Sequence, residues 1–233
     1  MIELDNIKNE LKKYSNKEKI PIYQNFFKTG KGQYGEGDIF LGVSVPNTRK
    51  VAIKYKEIEL DVIKQLIESK IHEERLLGVL ILVQKYKKTN DNKIFEFYKK
   101  HNKKINNWDL VDLSADKIVG HYYYNNQNKF SELFNLAKSD NLWERRTSIV
   151  STYYFIKNNK FKETIKISEI LLNDKHDLIQ KAVGWMLREV GKKDKKILLK
   201  FLNKYYKEMP RTMLRYSIEK FPENERKYYL NKV

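Results

Sequence analysis

The sequence predicts an all-α chain, and three observations carry that prediction. Only nine Gly and four Pro occur in 233 residues, and five of the glycines fall between Gly30 and Gly42. Chain-breaking residues are therefore gathered in one N-terminal loop and nearly absent afterwards. From Pro46 onward the apolar residues recur at spacings of three and four, as Leu76, Leu77, Leu80, Ile81 and Val83 do, with Tyr86 closing that face. No segment alternates convincingly at period two, the pattern a half-buried strand requires.

Taken in order, N-terminal helices and the Gly-rich loop occupy about 1–45, and repeats fill about 46–233, within a single domain over 1–233. The polar runs 87–92, 125–129, 157–160 and 192–196 are short, as helix connections are. Four segments each open a helix: Ile71-His72-Glu73-Glu74-Arg75, Asn107-Trp108-Asp109-Leu110-Val111-Asp112, Leu142-Trp143-Glu144-Arg145-Arg146 and Leu178-Ile179-Gln180-Lys181-Ala182-Val183. Their spacing of roughly 36 residues, each with a second helical stretch behind it, is that of an α-solenoid. Such a fold buries apolar faces by stacking and leaves one set of helices along a concave surface. Helical periodicity alone also makes segments look alike, so coincidence is the competing reading.

Composition narrows the function. Lys+Arg 47 against Asp+Glu 30 leave a formal charge of +17, which calls for a polyanionic partner such as nucleic acid or an acidic membrane surface. The absence of cysteine excludes disulfides, thiolate zinc sites, iron–sulfur clusters and cysteine nucleophiles. Four scattered histidines argue against a histidine metal site, so neither metal nor cofactor is expected. No stretch reaches the roughly 20 apolar residues that cross a bilayer, and residues 1–19 lack the apolar core of a secretion signal. The expectation is a soluble, cytoplasmic, monomeric protein. Its 13% aromatic content is either core packing or aromatic surface that meets sugar or base.

Among residues that can carry chemistry, Trp108 and Asp112 lie one turn apart on the same side of a helix capped by the Asn106–Asn107 pair. Leu110, Val111, Leu113 and Ile118 supply its buried side. Asp109 is suited to the helix dipole, whereas Asp112 gains less from it and is the more informative carboxylate. A salt bridge to a neighbouring repeat is the alternative for Asp112. Arg145 and Arg146 point about 100 degrees apart, so one can face a groove while the other is solvated. Gly184 inside a helix costs about 1 kcal/mol and implies a close neighbour. Trp185 is either core or site.

Together these segments resemble the AlkD family of DNA alkylation-repair glycosylases, α-solenoids of HEAT-like repeats. The resemblance rests on Phe40-Leu41-Gly42-Val43-Ser44-Val45-Pro46, Trp108-Asp109-Leu110-Val111-Asp112, Leu142-Trp143-Glu144-Arg145-Arg146 and Ile179 through Glu189, in that order, and extends from about Ile22 to Phe221. Met209 through Tyr216 looks like the C-terminal helix of one branch of the family. The resemblance implies a monofunctional glycosylase that removes cationic 3-methyladenine and 7-methylguanine from duplex DNA, with a concave basic face for the duplex. It implies that Trp108 and Trp185 pack against the lesion-bearing deoxyribose, that Asp112 is the catalytic carboxylate, and that Arg146 and Arg188 contact the DNA backbone. Two departures stand out: Asn107 replaces a common second aromatic, and Phe26 stands where the family has a tyrosine against the DNA. Arg145 and Lys181 join the expected phosphate contacts.

These residue types suit the reaction. An N3- or N7-alkylated purine is already cationic and leaves without a proton donor, so the enzyme need only stabilise charge developing on the sugar and position water. The resemblance further implies work from the backbone side without swallowing the base, so no snug base pocket is required. Two alternatives come from other classes: a catalytically silent HEAT-repeat protein that binds DNA structures, and a protein-interaction scaffold, which leaves the +17 charge unexplained.

Overall fold

The computed structural model describes residues 2–231, and its elements form two compact units, Met1–Ser114 and Ala115–Val233. Among the described residues there is no strand, and the only β pairing is an isolated parallel bridge between Ile39 and Ile71. The all-α expectation holds. The four helix openings read from the sequence fall at or next to the first residue of a helix.

The first unit contains α1 (Ile2–Lys12), α2 (Lys19–Phe26), α3 (Val45–Lys54), α4 (Leu60–Ile67), α5 (His72–Thr89), α6 (Asn92–His101) and α7 (Trp108–Ser114). Helix α5 is the axis of this unit, packed by α3, α4, α6 and α7. Its sequence is apolar on nearly every side, as a helix enclosed by neighbours must be. Leu77, Val79, Ile81 and Leu82 have no solvent exposure. Gly78 admits α4: a Cβ there would lie 2.9 Å from Ile67 Cγ1 and 3.0 Å from Leu66 Cβ.

The second unit opens with a π-turn (Asp116–Gly120) and continues through α8 (His121–Asn125), α9 (Phe130–Ala137), α10 (Leu142–Ser151), α11 (Tyr153–Lys157) and α12 (Lys162–Ile170). It ends with α13 (Asp177–Lys193), α14 (Lys195–Tyr205), α15 (Arg211–Ser217) and α16 (Glu223–Leu230). Here α13 is the axis, packed by α10, α11, α12, α14 and α15. Gly184 is its point of closest approach, where a Cβ would stand 2.5 Å from Tyr216 Cβ and 2.6 Å from the Met213 carbonyl oxygen of α15. The close neighbour expected from a glycine in mid-helix is α15.

The sequence repeat has a physical cause in the loops that enter the long helices. Before α5, Ser69 Oγ accepts from Ile71 N at 3.0 Å and donates to Glu74 at 2.6 Å, while Arg75 Nη1 donates to the Ser69 carbonyl at 3.1 Å. Before α10 the same bonds recur: Ser139 Oγ accepts from Asn141 N at 3.0 Å and donates to Glu144, and Arg145 Nη1 donates to the Ser139 carbonyl at 2.9 Å. Before α13, Asp174 Oδ1 accepts from His176 N at 2.8 Å, and Gln180 Nε2 replaces the arginine on the Asp174 carbonyl at 2.9 Å. A side chain about one turn into each helix thus ties down its own entry loop, satisfying backbone groups that the helix leaves unpaired. In this register Asp112, Arg146 and Lys181 occupy the same position of successive repeats.

Candidate active site

Helix α7 begins at Trp108 because Asn107 caps it. The Asn107 Oδ1 accepts from Trp108 N at 2.8 Å, and its carbonyl accepts from Val111 N at 3.2 Å. Leu110 and Val111 are completely buried and fix the rotation of the helix. That rotation leaves Trp108, Asp112 and Leu113 partly exposed, and all three line one cavity of 320 Å³. The expected pairing of Trp108 with Asp112 on one side of the helix is present.

Much of the remaining cavity wall is aromatic, with Val43, Val45 and Leu76 beside the rings. Phe27 stacks on Trp108 with ring centroids 5.3 Å apart and planes 17° apart, and Phe40 stacks on Phe27 at 5.2 Å and 21°. Phe26 meets Trp108 edge-on at 5.5 Å and is 60% exposed, so it stands at the rim. Such offset and edge-on contacts are the favoured geometries of aromatic pairs. The cavity lies among α2, the loop before α3, α5 and α7.

Behind this wall lies a buried charge network. His72, 2% exposed, stacks on Phe40 at 4.8 Å, places Nε2 2.9 Å from Asp109 Oδ2 and Nδ1 3.3 Å from Asp38 Oδ2. Arg75 completes it with Nη2 2.7 Å from Asp38 Oδ2. Burial pulls the His72 pKa down, but the Asp109 and Asp38 carboxylates outweigh it and raise the value to about 9. At neutral pH the imidazolium therefore donates from both nitrogens. Burial likewise pushes Asp38 upward, and His72 and Arg75 overcome that to hold its carboxyl below the usual range. Asp109 thus serves His72, beyond the helix-dipole role its position in the sequence suggests.

Glu73 anchors the cavity's other side. Its carboxylate accepts from the backbone N–H of Leu41, Gly42 and Val43 at 3.0, 2.8 and 3.1 Å. This cradle needs Gly42, whose φ is +76° and whose absent Cβ makes room for the Asn16 carbonyl.

In the second unit, Trp185 is partly exposed and its ring lies 6.0 Å from Tyr153. Arg145 does not stand as an open phosphate contact: its Nε is 2.7 Å from Asp174 Oδ2, and Nη1 is taken by the Ser139 and Asp140 carbonyls. Arg146 is only 5% exposed and donates to the Leu178 carbonyl at 2.5 Å. Lys181 pairs with Asp177 at 2.6 Å near solvent, and Arg188 pairs with Glu219 and Glu189. The exposed Lys181–Asp177 pair exchanges readily, since such a pair is worth about 1 kcal/mol or less, whereas Arg188 and Glu189 are largely buried. Among the described residues no group of three or more histidine or acidic side chains is arranged to hold a metal, and no helix is long and apolar enough to cross a membrane.

A family model described as DNA alkylation repair enzyme matches residues 7–221. The chain belongs to this family. Solved structures share its fold. A predicted DNA alkylation repair enzyme from Enterococcus faecalis superposes with a TM-score of 0.71 at 16% identity, over 90% of this chain and 97% of that one. The structures of smu.31 and of AlkD2 from Streptococcus mutans each give a TM-score of 0.54 at 21% identity and cover 81% of this chain, with 92% and 89% of their own lengths covered. No curated protein matches.

Within this alkylation-repair chain, sequence reasoning missed the Asp38–His72–Asp109 network and the Glu73 cradle. One signal was present: His72, Glu73, Glu74 and Arg75 are four consecutive polar residues directly before Leu76–Val83, a run with no polar side chain on any face of the helix. On such a helix they cannot all reach water, and each needs an internal partner.

Proposed function

We propose that the protein is a monofunctional DNA glycosylase that excises cationic N3- and N7-alkylated purines, 3-methyladenine and 7-methylguanine, from duplex DNA, acting as a monomer in the cytoplasm on nucleoid DNA. Family membership supports alkylation repair, and one observation carries the reaction type: a carboxylate, Asp112, shares an aromatic-walled cavity with Trp108.

As the C1′–N bond lengthens, positive charge moves onto the deoxyribose. A carboxylate about 4 Å away stabilises that charge by roughly 4 kcal/mol at an effective dielectric near 20. This is on the order of a thousandfold in rate. The indole faces of Trp108 and Trp185 add about 1–2 kcal/mol each where water is excluded. Asp112 also orients the attacking water, a secondary task because the base needs no protonation. No step uses a metal or cofactor.

Phe26 at the cavity rim meets the DNA, and Lys181 and Arg188 exchange the exposed carboxylates of Asp177 and Glu219 for phosphates. Arg146, held against the Leu178 carbonyl, supports α13 as well as any phosphate it meets, and Arg145 is assigned to its entry loop. The deciding experiment is release of 7-methylguanine from methylated duplex DNA in the presence of EDTA. Absence of release by the purified chain overturns the reading.

A further inference from the structure

A second cavity, of 510 Å³, lies in the second unit and is lined by α12, α14 and Phe161 at the entry of α12. None of the residues assigned above to catalysis or to DNA lines it. Its lining follows one pattern twice. Phe161 and Ile165 stand four residues apart, and Lys162 and Lys166 repeat that interval one position on. On α14, Ile197, Phe201 and Tyr205 keep the same interval, with Lys200 and Lys204 beside them. Residues four apart share a helix face, so each helix presents an apolar stripe flanked by lysines. Phe161, Ile165 and Ile197 stay partly exposed. Among the described residues Lys162 and Lys200 have no ion pair. Lys166 and Lys204 lie over the rings of Phe134 and Tyr205, at 5.8 and 4.5 Å. The one carboxylate of the lining, Glu169, stands 3.8 Å from Lys204 and accepts from the Tyr205 hydroxyl at 2.9 Å.

We propose that α12 and α14 dock an acidic amphipathic helix of a partner protein, its apolar stripe on Phe161, Ile165, Ile197 and Phe201 and its carboxylates against the four lysines. Charge complementarity selects an acidic partner, and the apolar floor selects a peptide over a nucleic acid. The rings offer no stacking platform for bases: Phe201 is 3% exposed and tilts against Tyr205 at 4.9 Å, and Lys204 lies over the Tyr205 ring. A duplex would meet the lysines and leave the apolar floor bare. A second copy of this chain, at +17, brings the wrong charge. Lys181 and Arg188, assigned above to phosphates, lie outside the cavity, so peptide and duplex do not compete for the same side chains.

The test is fluorescence anisotropy of the full chain with a labelled synthetic peptide of about 18 residues, long enough for a helix, whose leucines recur every third or fourth position among glutamates. A scrambled peptide of the same composition is the control. Saturable binding of the striped peptide, at least about tenfold tighter than the scrambled one, is expected, because only the stripe reaches floor and lysines together. Lys162→Glu with Lys200→Glu weakens it at least about tenfold, and Ile165→Ala about fivefold. Lys64→Glu with Lys93→Glu, the same charge change at exposed positions of the first unit, leaves it within about twofold. Equal affinity for the two peptides, or equal weakening by the two pairs of reversals, overturns the proposal; the peptide comparison needs no variant and stands even where one is unstable. A single strand of about 18 nucleotides is expected to lose no more affinity from the cavity reversals than from the control pair. A larger loss marks these lysines as nucleic-acid surface and overturns the proposal. No arm involves excision, so the outcome is independent of the glycosylase reading.

Discussion

In the proposed mechanism, Asp112 is the residue at which chemistry and binding part company. Asp112→Asn keeps the size of the side chain and removes the charge that the departing purine leaves to be balanced. The variant is expected to bind duplex DNA at least as well as the wild type, because a negative charge near phosphates has gone, while excision falls by on the order of a thousandfold. Wild-type turnover by the variant would end the assignment. His72 makes a different prediction. Its pKa is raised from 6.5 to about 9 by Asp109 and Asp38 against the pull of burial. A group whose folded pKa is raised contributes stability that is fully present below about pH 6.5 and disappears as pH rises through about 9. Denaturant unfolding across that window should show stability falling by about 3 kcal/mol. His72→Gln, which takes the cation from buried Asp109 and leaves half-buried Asp38 with Arg75 alone, should cost about 3 kcal/mol at neutral pH and flatten that dependence. A pH profile unchanged by the substitution would mean that the imidazolium carries none of it.

At the scale of elements, the entry loops decide what a substitution does. Arg145→Ala cuts the ties to Asp174 and to the Ser139 and Asp140 carbonyls, so the expected loss is about 1–3 kcal/mol of stability with DNA affinity little changed. A DNA affinity that drops while the melting temperature holds would restore Arg145 to the phosphate contacts. Gly184→Ala tests the approach of α15 to α13. A helix interior ordinarily gains from this exchange. Here the added methyl meets Tyr216 Cβ and the Met213 carbonyl, and a net destabilisation of about 1–3 kcal/mol is expected on thermal unfolding. An unchanged or higher melting temperature would show that α15 yields at no cost.

At the scale of the whole molecule, the positive excess is read through salt. Each phosphate contact contributes about −0.9 to the slope of log affinity against log salt on duplex DNA. Lys181→Ala is expected to weaken damaged and undamaged duplex alike and to make that slope shallower by about 1. An unchanged slope would place Lys181 off the DNA. The same scale shows what the sequence made legible. Helix class, helix openings and the tight spot at Gly184 follow from local periodicity and from what a glycine permits, so they could be read directly. Trp108 and Asp112 could be placed together because one helical turn joins them. The His72–Asp109 and Asp38–Arg75 pairs could not, since each joins residues more than thirty positions apart that only the tertiary fold brings together. Nor could the committed state of Arg145, whose partner Asp174 lies in the next entry loop. The cavity was hidden for the same reason: its rings come from α2, α7 and the segment that precedes α3.

The cradle of Leu41, Gly42 and Val43 has a bearing on where a nucleic acid settles. Three converging amide hydrogens are the usual seat of a phosphoryl oxygen, and in a protein built for polyanions they would compete for the duplex. Here Glu73 already fills the seat from inside. By plugging its own anion trap, the fold leaves these three amides nothing to offer a passing strand.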